Sequence, residues 1–119
     1  MRIGIRIYVD EHAHRIQPIT GVVEMARKLG KMHPTSVASG GPREIVHQTL
    51  RVIKAHDIFS HIVTQDDVVN GKPHPEIFLY AARRMGVRPE RCLVFEDSHL
   101  GIEAARSAGM AFVVVKHEV

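Results

Sequence analysis

The sequence predicts an α/β fold, a parallel Rossmann-like sheet with helices on both faces. Three observations carry that prediction. Short runs rich in β-branched residues alternate with longer segments of helical period. The helical segments are bounded by glycine, proline and serine at positions where those residues stop or start a helix. The strand read over residues 91–95 ("RCLVF") is continuously apolar after Arg91 rather than alternating, as suits a strand covered on both faces.

In chain order, Ile3, Ile5, Ile7 and Val9 alternate, which reads as a strand. The overlapping set Ile7, Glu11, His14 and Arg15 also has helical spacing, so this stretch stays ambiguous. Val22, Met25, Ala26 and Leu29 predict a helix closed by Gly30. "TSVAS" (35–39) predicts a strand broken by Gly40 and Gly41, and Pro42 suits a first helical residue. Ile45, Val46, Leu50, Val52 and Ile53 continue that helix. "HIVT" (61–64) is the next strand, followed by a polar loop to His74. Pro75 opens a helix with Ile77, Phe78, Ala81, Ala82 and Met85 inward and Gly86 as its stop. After the run at 91–95, Ser98 is a natural N-cap for a helix ending near Gly109. Residues 111–115 predict a last buried strand.

Bulk properties narrow the function classes. The chain has 119 residues, which suits one domain over 1–119, and 45% are apolar, enough for a core. The net charge of +3 is spread along the chain. It favours an anionic substrate but is no nucleic-acid signature, and no nucleic-acid partner is expected. Cys92 is the only cysteine, so an internal disulfide is excluded and a cytoplasmic setting is expected. Its apolar neighbours predict a buried, inert thiol. No signal peptide is evident and no apolar run is long enough for a membrane span, so no membrane partner is expected.

Ligands of parallel α/β sheets bind at the carboxyl ends of the strands. Ser39 ends one strand and is followed by two glycines, where backbone N–H groups can approach a phosphate. Lys72 precedes a helix and can pair with a phosphate or carboxylate. Glu96 and Asp97 end a third strand, and adjacent carboxylates there suit Mg²⁺. Each feature alone has an ordinary reading: a turn, a solvated surface charge, a helix cap. Their shared placement at strand ends points to phosphoryl transfer.

The segments "VASGG", "GKPHPEIF" and "CLVFEDSHLGIEAARSAGM" together resemble the haloacid dehalogenase (HAD) superfamily, in its sugar-phosphate phosphatase and β-phosphoglucomutase-like branch. The resemblance runs from about Gln17 to Val115. It implies a Mg²⁺-dependent phosphohydrolase acting on small phosphorylated substrates. By the same resemblance, Ser39 is the phosphate-binding hydroxyl and Gly40 lends a backbone N–H. Lys72 steadies nucleophile and phosphoryl group, and Glu96 and Asp97 hold Mg²⁺. A bacterial receiver domain uses similar groups, but its acidic pair comes near the start and its lysine near the end.

The family's first motif, Asp-x-Asp-Gly-Thr, is missing, and so is the cap domain that normally follows it. The chain therefore reads as a reduced, truncated HAD core without a cap. In the family the first-motif strand is central, and its loss would leave two open edges. If residues 3–9 fill that slot in parallel, Asp10 takes the place of the nucleophile and His12 that of the general acid. The alternatives are a catalytically inactive module that binds Mg²⁺, phosphate or a protein, and a homo-oligomer that covers the open sheet. His12 and His14 lack an identifiable third ligand for a metal site of their own. His99 reads as a surface helix residue.

Overall fold

The computed structural model describes residues 20–114. The strand expected over 3–9, together with Asp10 and His12, lies outside the described residues. Among the described residues, four helices and four strands alternate. They are α1 (Thr20–Leu29), β1 (Ser36–Ala38), α2 (Arg43–Val52), β2 (His61–Val63), α3 (Glu76–Met85), β3 (Leu93–Glu96), α4 (His99–Ser107) and β4 (Ala111–Val114). Short 3₁₀ turns precede β2 and β3 and follow β2.

β1 pairs with β2 in parallel, with Val37 opposite Ile62. β3 pairs with β4 in parallel, with Val94 opposite Phe112. Among the described residues these are two separate two-stranded sheets. The two pairs nevertheless share both halves of the core. Val37 of β1 and Phe95 of β3 join Ala26 of α1 and Val46 and Leu50 of α2. Ala38, Val63 and Val94 join Ile77, Phe78 and Ala81 of α3 and the alanines of α4. The side-chain period of two along a strand produces this split. Val94 and Phe95 are both buried, on opposite faces, so the predicted two-sided cover of this strand is present.

Helix boundaries follow local chemistry. Pro42 and Pro75 stand one residue before α2 and α3, at the N-cap rather than at the first helical position. Gly86 ends α3 in the left-handed conformation (φ 70°, ψ 31°), and the Val87 N–H closes back on the Ala82 carbonyl at 3.0 Å. Gly30 ends α1 for a different reason, close approach. A Cβ there would lie 2.9 Å from the Ala26 carbonyl oxygen and 3.3 Å from that of Ile58.

Two strand expectations are corrected. The third strand begins at Leu93, because Pro89–Arg91 forms a 3₁₀ turn, and it extends through Glu96. The last strand is not buried over its described part: Val113 and Val114 are 42% and 52% exposed. A continuous apolar run does not reveal whether a strand sits inside a sheet or at its margin. Among the described residues, β4 is paired with β3 alone. No helix of the described residues is long and apolar enough to cross a membrane.

Candidate functional site

The carboxyl ends of β1 and β2 are stapled together. The Ser39 N–H donates to the Val63 carbonyl at 2.9 Å, continuing the ladder one residue past β1. The Ser39 side chain is buried, and its Oγ accepts the Gly41 N–H at 3.1 Å. The chain then turns into α2. There the Arg43 backbone N–H donates to Asp66 Oδ2 at 2.7 Å and the Arg43 guanidinium reaches Asp67 Oδ1 at 3.2 Å. Asp67 Oδ2 in turn accepts the Thr64 N–H at 2.9 Å in a capping box. The turn after β1 and the turn after β2 are thereby fixed relative to each other.

Gly40 and Lys72 line the same cleft, of about 290 Å³, with Gln65, Asp66 and Val69. Two predicted site residues far apart in sequence thus meet at one opening. The Lys72–Pro73 peptide is cis. The Lys72 ammonium lies 5.7 Å from the centre of the Phe78 ring, in cation–π range. The Ser39 hydroxyl, which accepts the Gly41 N–H, stands in the turn that leads into this cleft at Gly40.

At the end of β3, Glu96 is buried and Asp97 half-buried. Glu96 Oε1 accepts three hydrogen bonds, from the Asp97 N–H, the Ser98 N–H and the Ser98 hydroxyl, each at 3.0 Å. The Ser98 hydroxyl also accepts the Gly101 N–H at 3.0 Å, so it caps α4 as predicted. Glu96 therefore organises the start of α4 as well as ending the strand. Hard carboxylate oxygens with one of them already oriented are a donor set that fits Mg²⁺, which takes one or two carboxylates plus water and phosphate oxygens. Among the described residues, no group of three or more His, Cys, Asp or Glu side chains assembles into a fuller site.

Sequence reasoning missed Glu76. Its carboxylate reaches back to the loop before Lys72, accepting the Val69 N–H at 3.0 Å and the Asn70 N–H at 2.8 Å. Those two backbone bonds hold the Glu76 carboxyl below its ordinary range. His74 was also unassigned, and its Nδ1 accepts the Glu76 N–H at 3.1 Å. Asp66 and Asp67 were passed over as loop polarity, although Thr64-x-x-Asp67 has capping-box spacing. His99 is a surface residue as expected, its Nε2 3.7 Å from Glu103 Oε1 on the next turn. Cys92 is buried as predicted, and desolvation, helped by Glu90, pushes its thiol up to about 11.

A parallel α/β core with Ser-Gly, Lys-Pro and Glu-Asp at its strand ends is the arrangement of a haloacid dehalogenase-like hydrolase. The family model of that name matches residues 2–115, and the chain belongs to this family. The chain is 37% identical over 101 residues to the fructose-1-phosphate phosphatase YqaB of Escherichia coli, a match covering 85% of this chain and 53% of the relative. Among solved structures, a putative β-phosphoglucomutase from Thermotoga maritima superposes with a TM-score of 0.75 at 35% identity, over 85% of this chain and 46% of that one. CbbY from Rhodobacter sphaeroides, solved in complex with phosphate, superposes with a TM-score of 0.73 at 30% identity, over 84% and 45%. The chain thus spans about half the length of the proteins it matches.

Proposed function

We propose that this chain carries the phosphate- and cation-handling part of a phosphohydrolase for small phosphorylated metabolites, sugar phosphates among them. The observation that supports it most is the meeting of Gly40 and Lys72 in one cleft beyond the strand ends. The Gly40 backbone faces a phosphoryl group there. The Lys72 ammonium, steadied on Phe78, neutralises charge that develops on the transferring oxygens. Ser39, whose hydroxyl accepts the Gly41 N–H, is the phosphate-binding hydroxyl of this reading. Glu96 and Asp97 are the residues that would hold Mg²⁺, which supplies further charge neutralisation when bound. Turnover needs a nucleophile, and Asp10 is the candidate, with His12 as its acid–base partner. In that reaction a carboxylate oxygen attacks phosphorus in line and the bond to the alcohol oxygen breaks. The alcohol leaves with a proton from the acid, and water then cleaves the phosphoaspartate.

The test is hydrolysis of a generic aryl phosphate by the purified chain, with and without Mg²⁺, alongside Asp97→Asn and Asp10→Asn. Mg²⁺-dependent turnover lost in both variants is the expected result. Turnover no greater than that of Asp97→Asn overturns the hydrolase reading for this chain. The absence of Asp-x-Asp-Gly-Thr from the sequence favours one other reading, a binding module without turnover. Phosphate and Mg²⁺ binding that persist without hydrolysis would identify it.

A further inference from the structure

We infer that Glu76 is a positioning residue for Lys72, a clamp that fixes where the ammonium stands in the cleft. The inference rests on the proposed role of Lys72 and deepens it. Lys72 sits at the end of a loop in which Val68 packs against the core but Val69, nearer the lysine, is 91% exposed. Beyond Val68, the loop is tied to the first turn of α3. Both oxygens of Glu76 accept backbone N–H groups, of Val69 at 3.0 Å and of Asn70 at 2.8 Å. These bonds grip the chain just before Lys72, and Phe78, half a turn further along α3, lies under the ammonium at 5.7 Å. The His74 N–H closes the intervening turn on the Gly71 carbonyl at 3.0 Å. One helical turn therefore binds the loop backbone through Glu76 and brings the Phe78 ring within cation–π range of the lysine head.

A carboxylate is the side chain this geometry needs. Two converging N–H donors call for two acceptor oxygens, and charge-assisted bonds of this kind are shorter and stronger than neutral ones. Glutamine offers one acceptor and sets an NH₂ against the second donor. The backbone bonds also favour the ionised carboxyl, so the clamp remains charged well into mildly acidic solution. The Glu76 carboxylate is occupied by the loop backbone, through the Val69 and Asn70 N–H groups.

The experiment uses the full chain and inorganic phosphate as probe. Phosphate affinity is measured for the parent, Glu76→Ala, Glu76→Gln, Lys72→Ala and the double variant Lys72→Ala/Glu76→Ala. The expected loss is about tenfold for Glu76→Ala and for Lys72→Ala, with no further loss in the double variant. A role confined to stability would weaken phosphate binding equally with or without Lys72, and that additive result overturns the inference. Glu76→Gln is expected to fall between parent and Glu76→Ala. The side-chain Cε resonances of Lys72 are recorded without ligand in parent and Glu76→Ala. A parent that ignores phosphate refutes the proposed site. The clamp is then decided by the resonances alone: a displaced Lys72 signal in Glu76→Ala supports it, and an unchanged one refutes it.

Discussion

Ser98→Ala removes two hydrogen bonds at one oxygen. The Ser98 hydroxyl accepts the Gly101 N–H and donates to Glu96 Oε1, both at 3.0 Å. Loss of an N-cap costs about 1 kcal/mol. Loss of a hydrogen bond to a buried carboxylate costs about 1.5 kcal/mol, the low end of its range, because Glu96 Oε1 keeps two backbone donors. The sum is about 2.5 kcal/mol. Ser98→Gly separates the contributions: both bonds are lost, but glycine is a tolerable N-cap, so the cost is mainly that of the bond to Glu96, about 1.5 kcal/mol. Urea denaturation reads the difference. With a slope of about 1.5 kcal/mol per molar, the midpoint falls by about 1.7 M for alanine and about 1 M for glycine. Equal midpoints for alanine and glycine, or an alanine loss under about 1 kcal/mol, would refute the double role assigned to this hydroxyl.

Three further outcomes are expected. Lys54 closes α2 with a positive φ of 57°, a conformation that strains any side chain, while its carbonyl accepts from the Arg27 guanidinium at 2.9 Å. Lys54→Gly keeps that carbonyl and raises the unfolding free energy by about 0.5–1 kcal/mol, read as a higher thermal midpoint. Burial, then the adjoining His56, holds His47 below 6.5, and burial with Arg84 does the same for His61. Depressed histidines stabilise the fold above 6.5 and lose that contribution as pH falls through their folded values, so stability declines on acidification from neutrality. His47→Gln makes that decline shallower; an unchanged pH profile would contradict the assignment. Cys92, at about 11 against an ordinary 9.0, exposes about a hundredfold less thiolate, so alkylation of the native chain is correspondingly slow and becomes fast in denaturant.

Most of the architecture was legible because its signals are local. Apolar period, proline at helix starts, glycine at the stop of α3 and serine at the cap of α4 each act within a turn of the chain. The misreadings share one cause, contacts made at a distance. β4 has the composition of an interior strand, and its exposure depends on what pairs beside it. Asp66 and Asp67 look like solvated loop charge until Arg43, from another element, is placed against them.

By itself the sequence determined the α/β alternation, the family, and the residue types proposed to handle phosphate and cation. Those follow from backbone sterics, side-chain period and motif order. Only the tertiary structure decided that Gly40 and Lys72 open onto one cleft and that the Ser39 hydroxyl accepts the Gly41 N–H. It alone showed that Glu96 is held by three donors and that Glu76 turns back to grip the loop before Lys72. The reason is physical: a hydrogen bond between loop and helix is worth little as a local preference and becomes specific only when packing brings both partners within 3 Å or so of each other.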